Sequence, residues 1–155
     1  QICQFIAHFQ YAEEKINDII TLLANSDDEL IRILINDLTF AQRLKAADVA
    51  LARTVDLHRD PDTSAKEEFH SLMTGLSKLS ERRNDLVHSQ YSTWLNIEGR
   101  EGLIRENSRL RAKQGIREVT EEELLPESLT ADIERIEQAL KDLEAFRLRV
   151  IDWFY

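Results

Sequence analysis

Apolar residues recur every three or four positions over most of this chain, which is the spacing of helices with one buried face. The pattern predicts four long helices, over about 2–24, 28–57, 64–91 and 130–155. The first half of the second helix is apolar nearly all round, so we expect it to be a central or an interface helix. The proline-containing stretch 59–62 is the clearest break in the first half of the chain.

The pattern changes between the third and fourth predicted helices. Residues from about 92 to 127 are polar and rich in arginine, with glycines at 99, 102 and 115. Periodicity leaves two interpretations open, a small hairpin or a long ordered loop. We therefore predict an all-α fold in a single domain over 1–155: an antiparallel four-helix bundle with an elaborated loop or small hairpin between helices 3 and 4.

Composition supports a helical protein and limits its chemistry. The 155 residues include only four glycines and two prolines, which favours helix over sheet. The net charge of −9 argues against a general nucleic-acid coat protein. The charge is uneven, however, because residues 99–117 hold six cations and two acids, a net +4.

Other features bear on the compartment and on cofactors. The single cysteine, Cys3, excludes an internal disulfide and fits a reducing compartment, so we expect a cytoplasmic protein. No apolar run approaches membrane-spanning length, so we expect no membrane contact. The chain begins at Gln1 already in a helical pattern, and we expect it to be a domain of something longer. Metal-ligand spacing and a glycine-rich phosphate loop are both missing, so no metal and no cofactor is expected.

Arg83 occupies an unusual position in the third predicted helix. Phe69, Leu76 and Arg83 are seven residues apart, so the arginine falls where the apolar seam calls for a hydrophobic residue. A charge there is costly unless it is paired or has a function. Asn84 and His88 are four apart and share one helix face.

The run Arg83-Asn84-Asp85-Leu86-Val87-His88 resembles the Arg-x4-His motif of the HEPN superfamily, and the likeness in fold covers essentially the whole chain. The resemblance implies a homodimer whose motif helices face each other across a shared cleft. It also implies a metal-independent endoribonuclease of the toxin or defence type. A related subgroup carries Tyr two residues after the His, whereas this chain has Gln90 there and Tyr91 next.

The catalytic candidates are Arg83, Asn84 and His88. Histidine titrates near neutrality and can serve as general acid or base. Arginine stays charged and binds phosphate oxygens with paired hydrogen bonds. The amide would orient the imidazole or donate to the phosphate, and the expected products are a 2′,3′-cyclic phosphate and a 5′-hydroxyl. A purely structural interpretation has His88 at a helix end and Arg83 paired with an acid, Asp85 or Asp37.

A second set of side chains is expected to contact RNA by charge and by stacking on the bases. Its members are Arg82, Tyr91, Trp94, Arg100, Arg105, Arg109, Arg111 and Lys113. A solvated loop is the competing interpretation of this stretch. The alternative function is a non-catalytic module for dimerisation, RNA binding or partner binding, with an antitoxin or another protein as the partner. A nucleotide-binding helical domain is the third.

Overall fold

The computed structural model describes residues 1–58 and 63–154, so the predicted break at 59–62 lies outside the described residues. Within these residues the chain forms five helices and one sheet: α1 (Ile2–Ala24), α2 (Asp28–Asn36), α3 (Phe40–Leu57), α4 (Thr63–Val87), β1 (Gln90–Leu95), β2 (Glu101–Arg111), β3 (Ile116–Leu124) and α5 (Thr130–Phe154). About 69% of the chain is helical and 17% is strand, so the predicted all-α four-helix bundle is wrong. The positions predicted for the first and last helices are confirmed.

The predicted second helix is two helices, α2 and α3, because the chain breaks at 37–39. Thr39 caps α3 in a capping box with Gln42. The Thr39 hydroxyl accepts from the Gln42 N–H at 3.3 Å, and Gln42 Oε1 accepts from the Thr39 N–H at 2.8 Å. These bonds satisfy backbone donors that a helix start leaves free. The apolar pattern runs through the break and hides it.

The extra break changes the direction of every later helix. Three side-chain pairs join α1 and α5 at a constant offset of 129 positions: Gln1–Thr130, His8–Glu137 and Lys15–Glu144. A constant offset means that the first and last helices run parallel. Two further pairs, Glu68–Arg149 and Arg82–Asp132, show that α4 runs antiparallel to α5. A simple up-and-down four-helix bundle requires its last helix to run antiparallel to its first. Here the last helix runs parallel to the first, so the chain does not have that topology.

Aromatic pairs fill the centre of the helical layer. Phe9 of α1 meets Phe40 of α3, and Phe69 of α4 meets Phe146 of α5, each edge to face with ring centroids 5.0 Å apart. The central position expected for the start of the second helix is wrong. In α2 only Ile35 is buried, while an outer aliphatic face is half to two-thirds exposed, formed by Leu30, Ile33 and Leu34.

Helix α4 ends at Val87, four residues before the predicted end, and a three-stranded antiparallel sheet of order β1-β2-β3 follows. Of the two interpretations of 92–127, the hairpin is closer, although a third strand is added. The β1–β2 turn closes on Asn96, whose N–H donates to the Arg100 carbonyl at 3.0 Å. Gly99 has a φ of 77°, a conformation that favours glycine.

The sheet turns one face toward the end of the helices. Arg105 of β2 lies on that face and is 7% exposed. Leu124, the last residue of β3 before α5, is also buried. On the other face the Trp94 ring covers Gly102, where a Cβ would lie 2.6 Å from the indole Nε1. Among the described residues, no helix has both the length and the apolar character needed to cross a bilayer.

Candidate functional site

The motif residues lie at the end of α4, next to the first strand of the sheet. His88 follows the last helical residue, and its backbone N–H donates to the Asn84 carbonyl at 3.0 Å. The side chains of Asn84 and His88 are exposed, whereas Arg83 is half-buried. The imidazole and the amide therefore lie one turn apart at an open helix end.

Arg83 packs against the aromatic core without a counter-charge. Its Cζ lies 5.8 Å from the centroid of the Phe9 ring, and its Nη1 donates to Asn84 Oδ1 at 3.1 Å. Its Nε is buried and has no hydrogen-bond partner among the described residues. Across residues 1–58 and 63–154, no carboxylate forms an ion pair with Arg83, so neither Asp85 nor Asp37 neutralises it. The guanidinium keeps a charge available to an anion.

Arg82, the preceding residue, is in the opposite situation. Its Nη1 and Nη2 donate to the two oxygens of Glu122 at 2.6 and 2.7 Å, and its Nε donates to Asp132 at 3.1 Å. Arg105 donates to Glu122 as well, at 2.8 Å. The Arg82 hydrogen bonds lower the pKa of Glu122 despite its partial burial, and Glu122 in turn raises the pKa of Arg82. We call these four residues the Glu122 cluster; it ties α4, the sheet and α5 together.

Two of the predicted RNA-contacting residues cap the end of α4. Arg105 Nη1 donates to the Asp85 carbonyl at 3.4 Å and to Ser89 Oγ at 3.1 Å. The Tyr91 hydroxyl donates to the Leu86 carbonyl at 2.5 Å. Partial burial raises the pKa of Tyr91, against the lowering effect of the nearby Arg105 charge. These bonds satisfy carbonyls that the helix end leaves free.

The remaining arginines of the predicted RNA-contacting set are paired with acids. The pairs are Arg100–Glu127 at 3.5 Å, Arg109–Asp85 at 2.7 Å and Arg111–Glu118 at 2.7 Å. Lys113 lies exposed in the β2–β3 turn, and no ion pair holds it within the described part of the chain. Trp94 is half-buried against Gly102.

The local +4 charge disappears once β3 is included. Over residues 99–124 six cations are matched by six acids, because the acids at 118 and 121–123 lie on β3 beside β2. Strand pairing thus places the acidic run next to the basic one. The sheet as a whole carries no net positive charge.

Sequence reasoning missed the part that Asp85 plays. Its carboxylate accepts from Arg109 at 2.7 Å and from Asn107 Nδ2 at 3.2 Å, so it joins the motif helix to β2. Its place inside the Arg-x4-His run was visible, but its partners depend on the register of β2. Phe9, on whose ring Arg83 packs, could be predicted from the sequence only as a core residue.

The motif residues lie outside the groove between the last two helices. A groove of about 1180 Å³ runs between α4 and α5 over Leu72, Leu76 and Phe146, but neither Arg83 nor His88 lines it. In the part of the chain that the structure describes, His, Cys, Asp and Glu side chains form no group of three suited to a metal. The chain matches no known family profile, no curated protein and no solved structure.

Proposed function

We propose that this protein acts on RNA at the end of α4, as a metal-independent endoribonuclease of the toxin or defence type, and that it works in the cytoplasm. The observation that carries the proposal is the Arg83 guanidinium, which pairs with no carboxylate of the described residues and packs on Phe9, five residues before the exposed His88 imidazole. Every other arginine beside this helix end is engaged by an acid. A retained charge of this kind is typical of a phosphate site.

His88 is the proposed general base. Its imidazole takes the proton of the 2′-hydroxyl, whose oxygen then attacks the adjacent phosphorus. Arg83 stabilises the negative charge that develops on the phosphorane oxygens. Asn84 holds the guanidinium through the 3.1 Å hydrogen bond. The P–O5′ bond breaks, leaving a 2′,3′-cyclic phosphate and a 5′-hydroxyl.

The leaving 5′-oxygen needs a proton in turn. In the shared cleft that the HEPN resemblance implies, His88 of the partner subunit would donate it. In a site built from one chain, water would donate it. In both cases His88 is the base and Arg83 binds the phosphate, so the variants below test both.

The proposal is tested by RNA cleavage in the presence of a chelator. His88→Ala should slow cleavage by about 10²–10⁴-fold, the usual contribution of a general base. His70→Ala is the matched control, because His70 is an exposed histidine of α4, the helix that His88 follows, but it pairs with Asp48 on α3 at 2.6 Å. A His88→Ala protein that cleaves as fast as the parent contradicts the proposal.

One observation favours the partner-binding form of the non-catalytic alternative over its RNA-binding form. The acids of β3 neutralise the basic stretch, so the sheet offers no continuous cationic track for a long RNA. Phosphate contacts make affinity fall steeply with salt. A module that binds only proteins should show little RNA affinity at any salt concentration.

A further inference from the structure

The two edges of the sheet are built differently. β1, at one edge, is Gln-Tyr-Ser-Thr-Trp-Leu, with no charged residue and no proline, and five of its six residues are exposed. β3, at the other edge, carries five charged residues among nine. Charges and prolines are the usual devices that keep a free edge from pairing with another chain. β3 has this protection and β1 does not.

The pairing pattern identifies the free backbone groups of β1. Asn96 pairs with Arg100 through a direct backbone hydrogen bond, and the register continues from there as Leu95↔Glu101 and Trp94↔Gly102. Hydrogen-bonded and non-bonded positions alternate in an antiparallel pair. Alternate residues of β1 therefore point their N–H and C=O groups away from β2: Tyr91, Thr93 and Leu95.

We propose that β1 pairs antiparallel with β1 of a second copy of this chain, joining two three-stranded sheets into one of six strands. The three outward-facing residues pair together in a single register, centred on Thr93. Thr93 then lies beside Thr93 of the partner subunit, and Tyr91 lies beside Leu95 of the partner subunit. The inference rests on the sheet edge and not on the proposed RNA chemistry.

The side chains suit this register. Leu95 is 66% exposed, and Tyr91, whose hydroxyl bonds to the end of α4, is 39% exposed, so the aliphatic side chain and the exposed part of the aromatic side chain would cover each other. Aromatic–aliphatic and threonine–threonine pairs are favourable across strands. No like charges meet, because β1 has none. The same pairing through β3 would bring its glutamates together.

The arrangement also fixes the distance between the two motif sites. β1 begins at Gln90, three residues before Thr93, and each strand residue adds about 3.3 Å. The two copies of Gln90 would then be roughly 20 Å apart at opposite ends of the joined strands, and each His88 precedes its own Gln90 by two residues. In this dimer each site acts on its own phosphodiester, unlike the shared cleft that the resemblance implies.

The test uses like and unlike charges at the centre of the register. Six residues a side make a small interface, so the dimer should be weak and should form with rising concentration in sedimentation experiments. T93K alone and T93E alone should each sediment as a monomer where the parent is a dimer, since two like charges would face each other. An equimolar mixture of T93K and T93E should recover the dimer. V119K, on the protected edge, is the control and should dimerise as the parent does.

Four results overturn the proposal: a monomeric parent at every concentration, dimers of T93K and T93E equal to the parent, no recovery on mixing, or loss of the dimer in V119K alone. Circular dichroism of each variant checks that it is folded. All these variants keep Arg83 and His88, whereas His88→Ala keeps the β1 edge. Failure of RNA cleavage and failure of dimerisation are thus seen in different variants and by different measurements.

Discussion

Arg82 and Arg83 are neighbours on α4, yet the structure uses them in different ways. Arg82 makes three hydrogen bonds to two carboxylates and joins three parts of the fold. Arg83 makes one side-chain hydrogen bond, to the neutral amide of Asn84, and rests on a phenylalanine ring. One arginine is neutralised inside the protein and the other is not. The contrast distinguishes Arg82, whose charge serves the structure, from Arg83, whose charge is available to a ligand.

The difference follows from helix geometry. Successive residues of a helix point about 100° apart. Arg82 therefore reaches Asp132 of α5 and Glu122 of β3, whereas Arg83 reaches Phe9 of α1. The carboxylates that neutralise Arg82 lie 40 and 50 positions away in the chain. Charge counts along the sequence cannot identify such partners.

The largest stability effect is expected at Arg82. Arg82→Gln leaves Glu122 and Asp132 short of a donor in a partly buried site, and should lower the free energy of unfolding by about 2–3 kcal/mol. Arg83→Gln, with the same change in side chain, loses only a cation–π contact and one hydrogen bond, and should lower it by about 1 kcal/mol or less. Urea unfolding of the two variants measures the difference. Equal losses would break the comparison.

Low pH should also weaken the contribution of the Glu122 cluster to stability. Because the folded-state pKa of Glu122 is lowered, its contribution to stability is fully present above its unfolded pKa, about 4.5, and is lost as pH falls through the lower folded value. Arg82→Gln should therefore make the stability curve flatter below about pH 4.5. Arg147 and Lys15 hold the pKa of Glu144 at about 2, so Glu144→Gln is the control for the acid loss that arises outside the cluster. A variant curve as steep as the parent's would contradict the role given to Arg82.

The first and last helices and the break between α1 and α2 could be predicted from the sequence, whereas the break before α3 and the third strand could not. The bounds of α1 and α5 follow from unbroken three- and four-residue spacing. The break before α3 was missed because apolar residues continue through it, although Thr39 and Gln42 form a recognisable capping pair. The hairpin of β1 and β2 could not be separated from a loop, and β3 was missed, because β2 and β3 carry paired charges instead of an apolar alternation.

At the site, the sequence was informative about Arg83 and uninformative about its neighbours. The seven-residue seam through Phe69 and Leu76 indicated that Arg83 faces the packed side of α4, and the structure places it on Phe9. The predicted RNA contacts of Arg105 and Tyr91 depended on a segment whose fold was open. Once β2 pairs with β3, Arg105 faces Glu122 and the end of α4.

The salt dependence of RNA binding tests the central claim most directly, by comparing Arg83→Gln with Arg82→Gln at temperatures where both are folded. The logarithm of affinity falls with the logarithm of salt in proportion to the number of phosphates neutralised. If Arg83 binds a phosphate, Arg83→Gln should reduce this slope by about 1, while Arg82→Gln leaves it unchanged. The reverse result, or equal slopes in the parent and Arg83→Gln, would contradict the assignment of Arg83 as the free cation of the site.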